Sequence, residues 1–121
     1  MNKLLTTFLA VFLLASLAVA LEHVIVTDPT TDQKIGTTVS VKWDTTQIPK
    51  GVKSSDEVSV RLRCGKRGIP PKAVPREPFS TGKKDIFIPN DYTLVGVSCK
   101  ADLNVERSGI TGLSKPFKLI N

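Results

Sequence analysis
The 121-residue sequence holds one histidine, one tryptophan, one tyrosine and two cysteines. Each scarcity closes a route to chemistry. A serine or cysteine hydrolase needs a histidine or comparable base held beside its nucleophile, and His23, close to the chain's beginning, is a poor candidate. Two cysteines and one histidine are too few for a zinc site of the His/Cys kind. Helical periodicity is missing beyond residue 20, so no phosphate-cradling glycine loop opens a helix. Glycoside hydrolysis requires two carboxylates facing each other across a cleft. The acids here include Asp56 and Glu57 at a strand start and Asp102 on an outward strand face, positions that read as solvated charges. Calcium would need clustered acids, and Asp28 and Asp32 flank a turn, where side-chain capping of the backbone is the expected role. The sequence therefore reads as non-enzymatic, with no cofactor and no metal.

What is present begins with a leader. Met1-Asn2-Lys3 is basic, residues 4–17 are apolar apart from Thr6, Thr7 and Ser16, and Ala18-Val19-Ala20 is a small-x-small cleavage signal. Residues 1–20 are expected to be a secretory signal peptide, leaving 21–121 as one domain. Losing Lys3 leaves 16 basic against 11 acidic residues, a net charge of +5. No later apolar run approaches the roughly 20 residues of a membrane helix, and the charged ending does not resemble a lipid-anchor signal. The product is expected outside the cell.

In that oxidising setting Cys64 and Cys99 are expected to form one disulfide, because neither has a CxxC neighbour that would suit a redox pair or metal site. Period-two alternation bounded by Gly, Pro and Asp/Asn turns dominates the rest, as in half-buried strands. Strands are expected at residues 23–27, 37–43, 57–64, 84–88, 94–103 and 115–120. In the second, Val39, Val41 and Trp43 share a face. In the third, Val58, Val60, Leu62 and Cys64 oppose Ser59, Arg61 and Arg63. The fifth places Val95, Val97, Cys99 and Ala101 together, and the last turns Phe117 and Leu119 inward. About seven short strands in this length fit an all-β, two-sheet antiparallel sandwich. Both cysteines fall on apolar faces, and the bridge would join either adjacent strands or the two sheets.

The order of several loose motifs resembles a known family. Val24 to Pro29 (VIVTDP), then Ile35 to Trp43 (IGTTVSVKW), Val58 to Leu62 (VSVRL), a glycine, strand and proline over 82–89, a tyrosine-led strand over 92–97, and a Ser-x-Pro-Phe ending at 114–117 are similar to the immunoglobulin-like N-terminal domain of fungal cell-wall synthesis proteins and their Ser/Thr-rich anchored relatives. The resemblance implies an immunoglobulin-like or fibronectin-like sandwich, associated with the cell surface or with β-glucan organisation in the wall, and no assigned catalytic residues. The sequence departs from the family in lacking a Ser/Thr-rich stalk and anchor signal and in its basic 65–78 segment, which favours a freely released protein. The alternative is therefore a small secreted effector-like protein that binds a polyanion through a basic loop.

Charge is the remaining chemical feature. Between residues 61 and 84, Arg61, Arg63, Lys66, Arg67, Lys72, Arg76, Lys83 and Lys84 stand against Glu77 alone, and an outward Lys100 would extend the patch if its strand neighbours that of Arg61 and Arg63. Such a field attracts polyanions, whether phosphorylated or acidic glycans, anionic lipid head groups or nucleic acid, and the expected partner is cell-wall polysaccharide or another polyanion. Nucleic acid is disfavoured, because no aromatic side chains interleave with the cations. Lys66-Arg67 also resembles a dibasic processing site for kexin-type proteases. Phe79, Phe87 and Tyr92 are the aromatic candidates for stacking on sugars, whereas Trp43 alternates with the core set.

Overall fold
The alternating segments become strands in a computed structural model that describes residues 22–71 and 76–121. The proposed leader, its cleavage point and Lys72 lie outside the described residues. The described residues form ten strands: β1 (Val26–Asp28), β2 (Gln33–Lys34), β3 (Thr38–Trp43), β4 (Glu57–Cys64), β5 (Arg67–Ile69), β6 (Arg76–Pro78), β7 (Lys83–Phe87), β8 (Ser98–Val105), β9 (Thr111–Leu113) and β10 (Phe117–Ile120). Short 3-10 turns occupy Phe79–Thr81 and Tyr92–Leu94. No helix among the described residues is long and apolar enough to cross a membrane.

A smaller sheet has the order β1-β3-β7, and a larger one runs β2-β10-β8-β4-β5. β6 continues beside β4, and β9 beside β8. Pairing is antiparallel except between β2 and β10, which run parallel with Leu119 opposite Gln33. Asp32 reinforces that edge by accepting the Lys118 N–H at 2.9 Å, so it caps a distant strand and not its own turn. The inward side chains expected from alternation are buried: Val39, Val41 and Trp43 from β3, Val58, Val60 and Leu62 from β4, Phe117 and Leu119 from β10. Phe79 is fully enclosed, and its carbonyl accepts the Trp43 indole N–H at 2.7 Å. Cys64 and Cys99 are directly opposed on β4 and β8 with Cα atoms 4.2 Å apart, so the disulfide joins neighbouring strands of one sheet. That separation suits a non-hydrogen-bonded antiparallel pair.

The structure differs from the expected strands where local capping outweighs alternation. Asp91 accepts the Thr93 N–H at 3.0 Å and its hydroxyl at 2.7 Å, closing a 3-10 turn at Tyr92 where a strand was expected. Gly96 then takes a left-handed φ of 84°, Val95 is left exposed, and β8 starts at Ser98. Asp56, expected to be solvated, is buried and holds the turn before β4, accepting the Lys53 N–H at 2.8 Å. Between β9 and β10, Ser114 fills the gap in the ladder: its hydroxyl accepts the Ala101 N–H at 2.8 Å.

Among the described glycines, Gly112 has the tightest surroundings. It faces inward opposite Leu103 while the Val24 N–H reaches the Thr111 carbonyl at 3.0 Å, and a Cβ added there would meet the Val24 carbonyl oxygen at 2.5 Å. Gly112→Ala is therefore expected to cost about 1–3 kcal/mol by forcing the N-terminal segment off the sheet. Thermal unfolding measures this, and an unchanged midpoint would contradict the crossing.

Candidate anion-binding face
Strand parity and register divide the expected basic patch. Arg61 and Arg63 project from the outer face of β4, where their partners across the ladder are Asp102 and Lys100 on β8. The expected extension through Lys100 is thus present. Asp102 stands between the arginines, only 15% exposed, with its Oδ2 at 3.4 Å from Arg61 Nε and 3.9 Å from Arg63 Nη1. It is a holding group for two guanidiniums and not an isolated solvated charge. Both arginines remain about 60% exposed and reach solvent past it. Lys66 sits at the turn between β4 and β5, also exposed, and neither it nor Lys100 has an ion pair among the described residues.

The other expected members lie elsewhere. Arg67, half of the dibasic pair, is already in the β5 ladder opposite Cys64, and parity turns it toward the inner side, where Nη1 meets Asp91 at 3.1 Å. Arg76 is opposite Ser59, on the same outer face, but it is drawn to Glu57 at 3.7 Å. Lys83 and Lys84 belong to β7 in the smaller sheet. Lys83 is outward and 3.8 Å from Asp85. Lys84 faces inward opposite Val41, is buried, and its Nζ donates to Glu77 at 3.1 Å across the edge between the sheets. Of the aromatics, Phe79 is buried, Phe87 is half-buried, and Tyr92 is 68% exposed.

Asp91 contributes to stability through its charge. The Thr93 hydroxyl and then the Thr93 N–H, helped by Arg67 and opposed by desolvation, hold its carboxyl below the ordinary carboxylate value. A carboxylate with a lowered folded-state pKa stabilises the protein above its unfolded pKa, and that contribution is lost as pH falls through the folded one. Asp91→Asn keeps a capping side chain, so the variant is expected to lose less stability than the wild-type protein between neutral and strongly acidic pH. Urea unfolding at the two pH values checks this.

The outer face is concave around the two arginines. Three adjoining hollows share Arg61 or Arg63. One of about 430 Å³ is floored by Ser59, Asn104 and Asp102 and walled by Pro70, Pro71 and Thr111. A second, of about 380 Å³, runs past Lys66 and Gly68, and a third, of about 290 Å³, reaches Ser98, Lys100 and Leu113. The side chains of Ser59, Asn104 and Thr111 make no hydrogen bond among the described residues. Sequence reasoning named none of these three as site residues. Alternation did turn Ser59 outward, and Asn104 continues the β8 alternation, but a three-residue β9 gives Thr111 no readable pattern. The arrangement offers several cations and neutral polar groups in an open trough. Comparisons of the chain with models of protein families, with characterised proteins and with solved structures return no match.

Proposed function
We propose that this protein is a secreted, non-enzymatic binding module of the fungal cell surface, docking on wall material through the outer face of its larger sheet. The observation that carries the reading is the in-register placement of Arg61, Arg63 and Lys100 on that exposed face, locked to a disulfide-closed strand pair. The resemblance of the motif order to that of the fungal wall-associated domain supports the location, and the disulfide and the expected apolar leader fit an oxidising, extracellular route. The β4–β8 ladder fixes the direction of the cations, so affinity comes from a preorganised face and not from an ordering loop.

Fractionation of the producing culture into wall, membrane and medium tests the reading. Retention on isolated wall through a low-salt wash is expected. Recovery only in the medium would overturn the wall assignment in favour of an effector-like protein acting away from the producing cell.

A further inference from the structure
We propose that the trough on the outer face of the larger sheet is a binding site for an acidic polysaccharide, with Arg61, Arg63 and Lys100 taking its anionic groups and Ser59, Asn104 and Thr111 its hydroxyls. This rests on the reading of that face as the docking surface and adds its ligand chemistry. Arg61 contacts Asp102 through Nε, and its terminal amines make no hydrogen bond among the described residues, so they are presented for an anion. Arg63 lies two residues along the same strand, roughly 7 Å away by strand rise, and Lys100 lies directly across from it. The cations therefore form a row and a side step, a spacing that suits repeated anionic groups along a polymer. Asp102 holds the guanidiniums in place and lowers the net charge of the floor, which moderates affinity for any dense polyanion.

Three observations select a polysaccharide among polyanions. The uncommitted Ser59, Asn104 and Thr111 adjoin the cations and supply the neutral donors and acceptors that hydroxyl-rich chains require. No aromatic residue lines any of the three hollows, so bases have no stacking platform. The face is a trough that includes Asp102, and its concavity suits a chain-like ligand, with vesicle binding left as an outcome of the test. Pro70 and Pro71 line the trough beside β4 and Thr111 lines it beside β8.

The experiment measures binding of the purified protein to immobilised polygalacturonate, heparin, a neutral β-glucan, single-stranded DNA and phosphatidylserine vesicles. Binding to one or both acidic polysaccharides is expected, weakening as salt rises from about 50 to about 500 mM. Lys100→Gln and the pair Arg61→Gln/Arg63→Gln are each expected to weaken it, the pair by at least about tenfold. Lys42→Gln/Lys83→Gln, which removes the same charge from the outer face of the smaller sheet, is expected to leave it within about twofold. Asn104→Ala is expected to weaken polysaccharide binding while leaving DNA binding unchanged. Stronger binding to DNA or vesicles than to either acidic polysaccharide would overturn the inference, as would equal losses from the two charge-removed pairs. Salt-indifferent binding to the neutral β-glucan alone would overturn it while sparing the cell-surface reading. Loss of wall retention with polysaccharide binding intact would do the reverse.

Discussion

Replacing Cys64 and Cys99 together by alanine is expected to lower stability by about 3–4 kcal/mol at 25 °C. The bridge closes a loop with a sequence separation of 35, and the chain-entropy relation assigns a constraint of that size to the unfolded state. The folded state loses little geometry with it. Cys64 and Cys99 end a ladder in which seven residue pairs from Val58–Val105 onward remain in register, so the strands still meet without the sulfurs. The loss should therefore fall on the unfolded chain and leave the arrangement of Arg61, Arg63 and Lys100 unchanged. Urea unfolding of the double variant measures it, and reduction of the wild-type protein should give a similar loss. A difference below about 1 kcal/mol would mean that the unfolded chain is already confined near the 64–99 closure.

Phe79→Ala is expected to cost about 3–5 kcal/mol, as for other fully buried aromatic side chains cut back to a methyl. Phe79 is fully enclosed in the core cluster, its N–H donates to the Asp56 carbonyl at 2.7 Å, and its own carbonyl receives the Trp43 indole. The cavity would open beside the protein's sole tryptophan, so the fluorescence of Trp43 should shift toward that of a wetter environment before global unfolding. Tyr92→Ala is the contrast. That ring is largely exposed, and its loss is expected to stay within about 0.5 kcal/mol. Equal costs for the two changes would refute the placement of Phe79 between the sheets.

The strands that announced themselves were those long enough to show a period. β3, β4, β8 and β10 carry four to eight residues each and bury alternate positions throughout. β2, β5, β6 and β9 have two or three residues, too few for alternation to be distinguished from chance. They are strands because a longer neighbour supplies the ladder, which is a tertiary cause. The parallel pairing of β2 with β10 was illegible for the same reason.

The candidate site was legible in part. Alternation directed Arg61 and Arg63 outward, but the charged run over 61–84 looked continuous only in one dimension. Arg67 and Lys84 turn to inner faces because they pair with Cys64 and Val41, and only register reveals that. Register also brings Asp102 between two arginines, although it lies 41 positions from Arg61 in the chain. Asp56 shows the limit of counting charges: its carboxylate is buried because it caps the Lys53 N–H, a local bond that composition does not foretell.

The strand order also sets a timetable for folding. β4 and β8 lie at the centre of the larger sheet, while β10, which follows β8 in the chain, inserts between β8 and β2. The Asp32–Lys118 contact that secures this edge spans 86 positions. Pairings so distant in sequence close late, and all-β chains of this kind fold over milliseconds to seconds. During synthesis Cys99 emerges before Phe117, so the two thiols can meet while the outer flank of β8 is still bare. At that stage the chain has a disulfide-closed pair of long strands and an uncovered row of backbone donors and acceptors along Ser98 and Cys99, open to pairing with another chain. Arrival of β10 covers that edge, so its pairing with β8 removes a surface prone to aggregation.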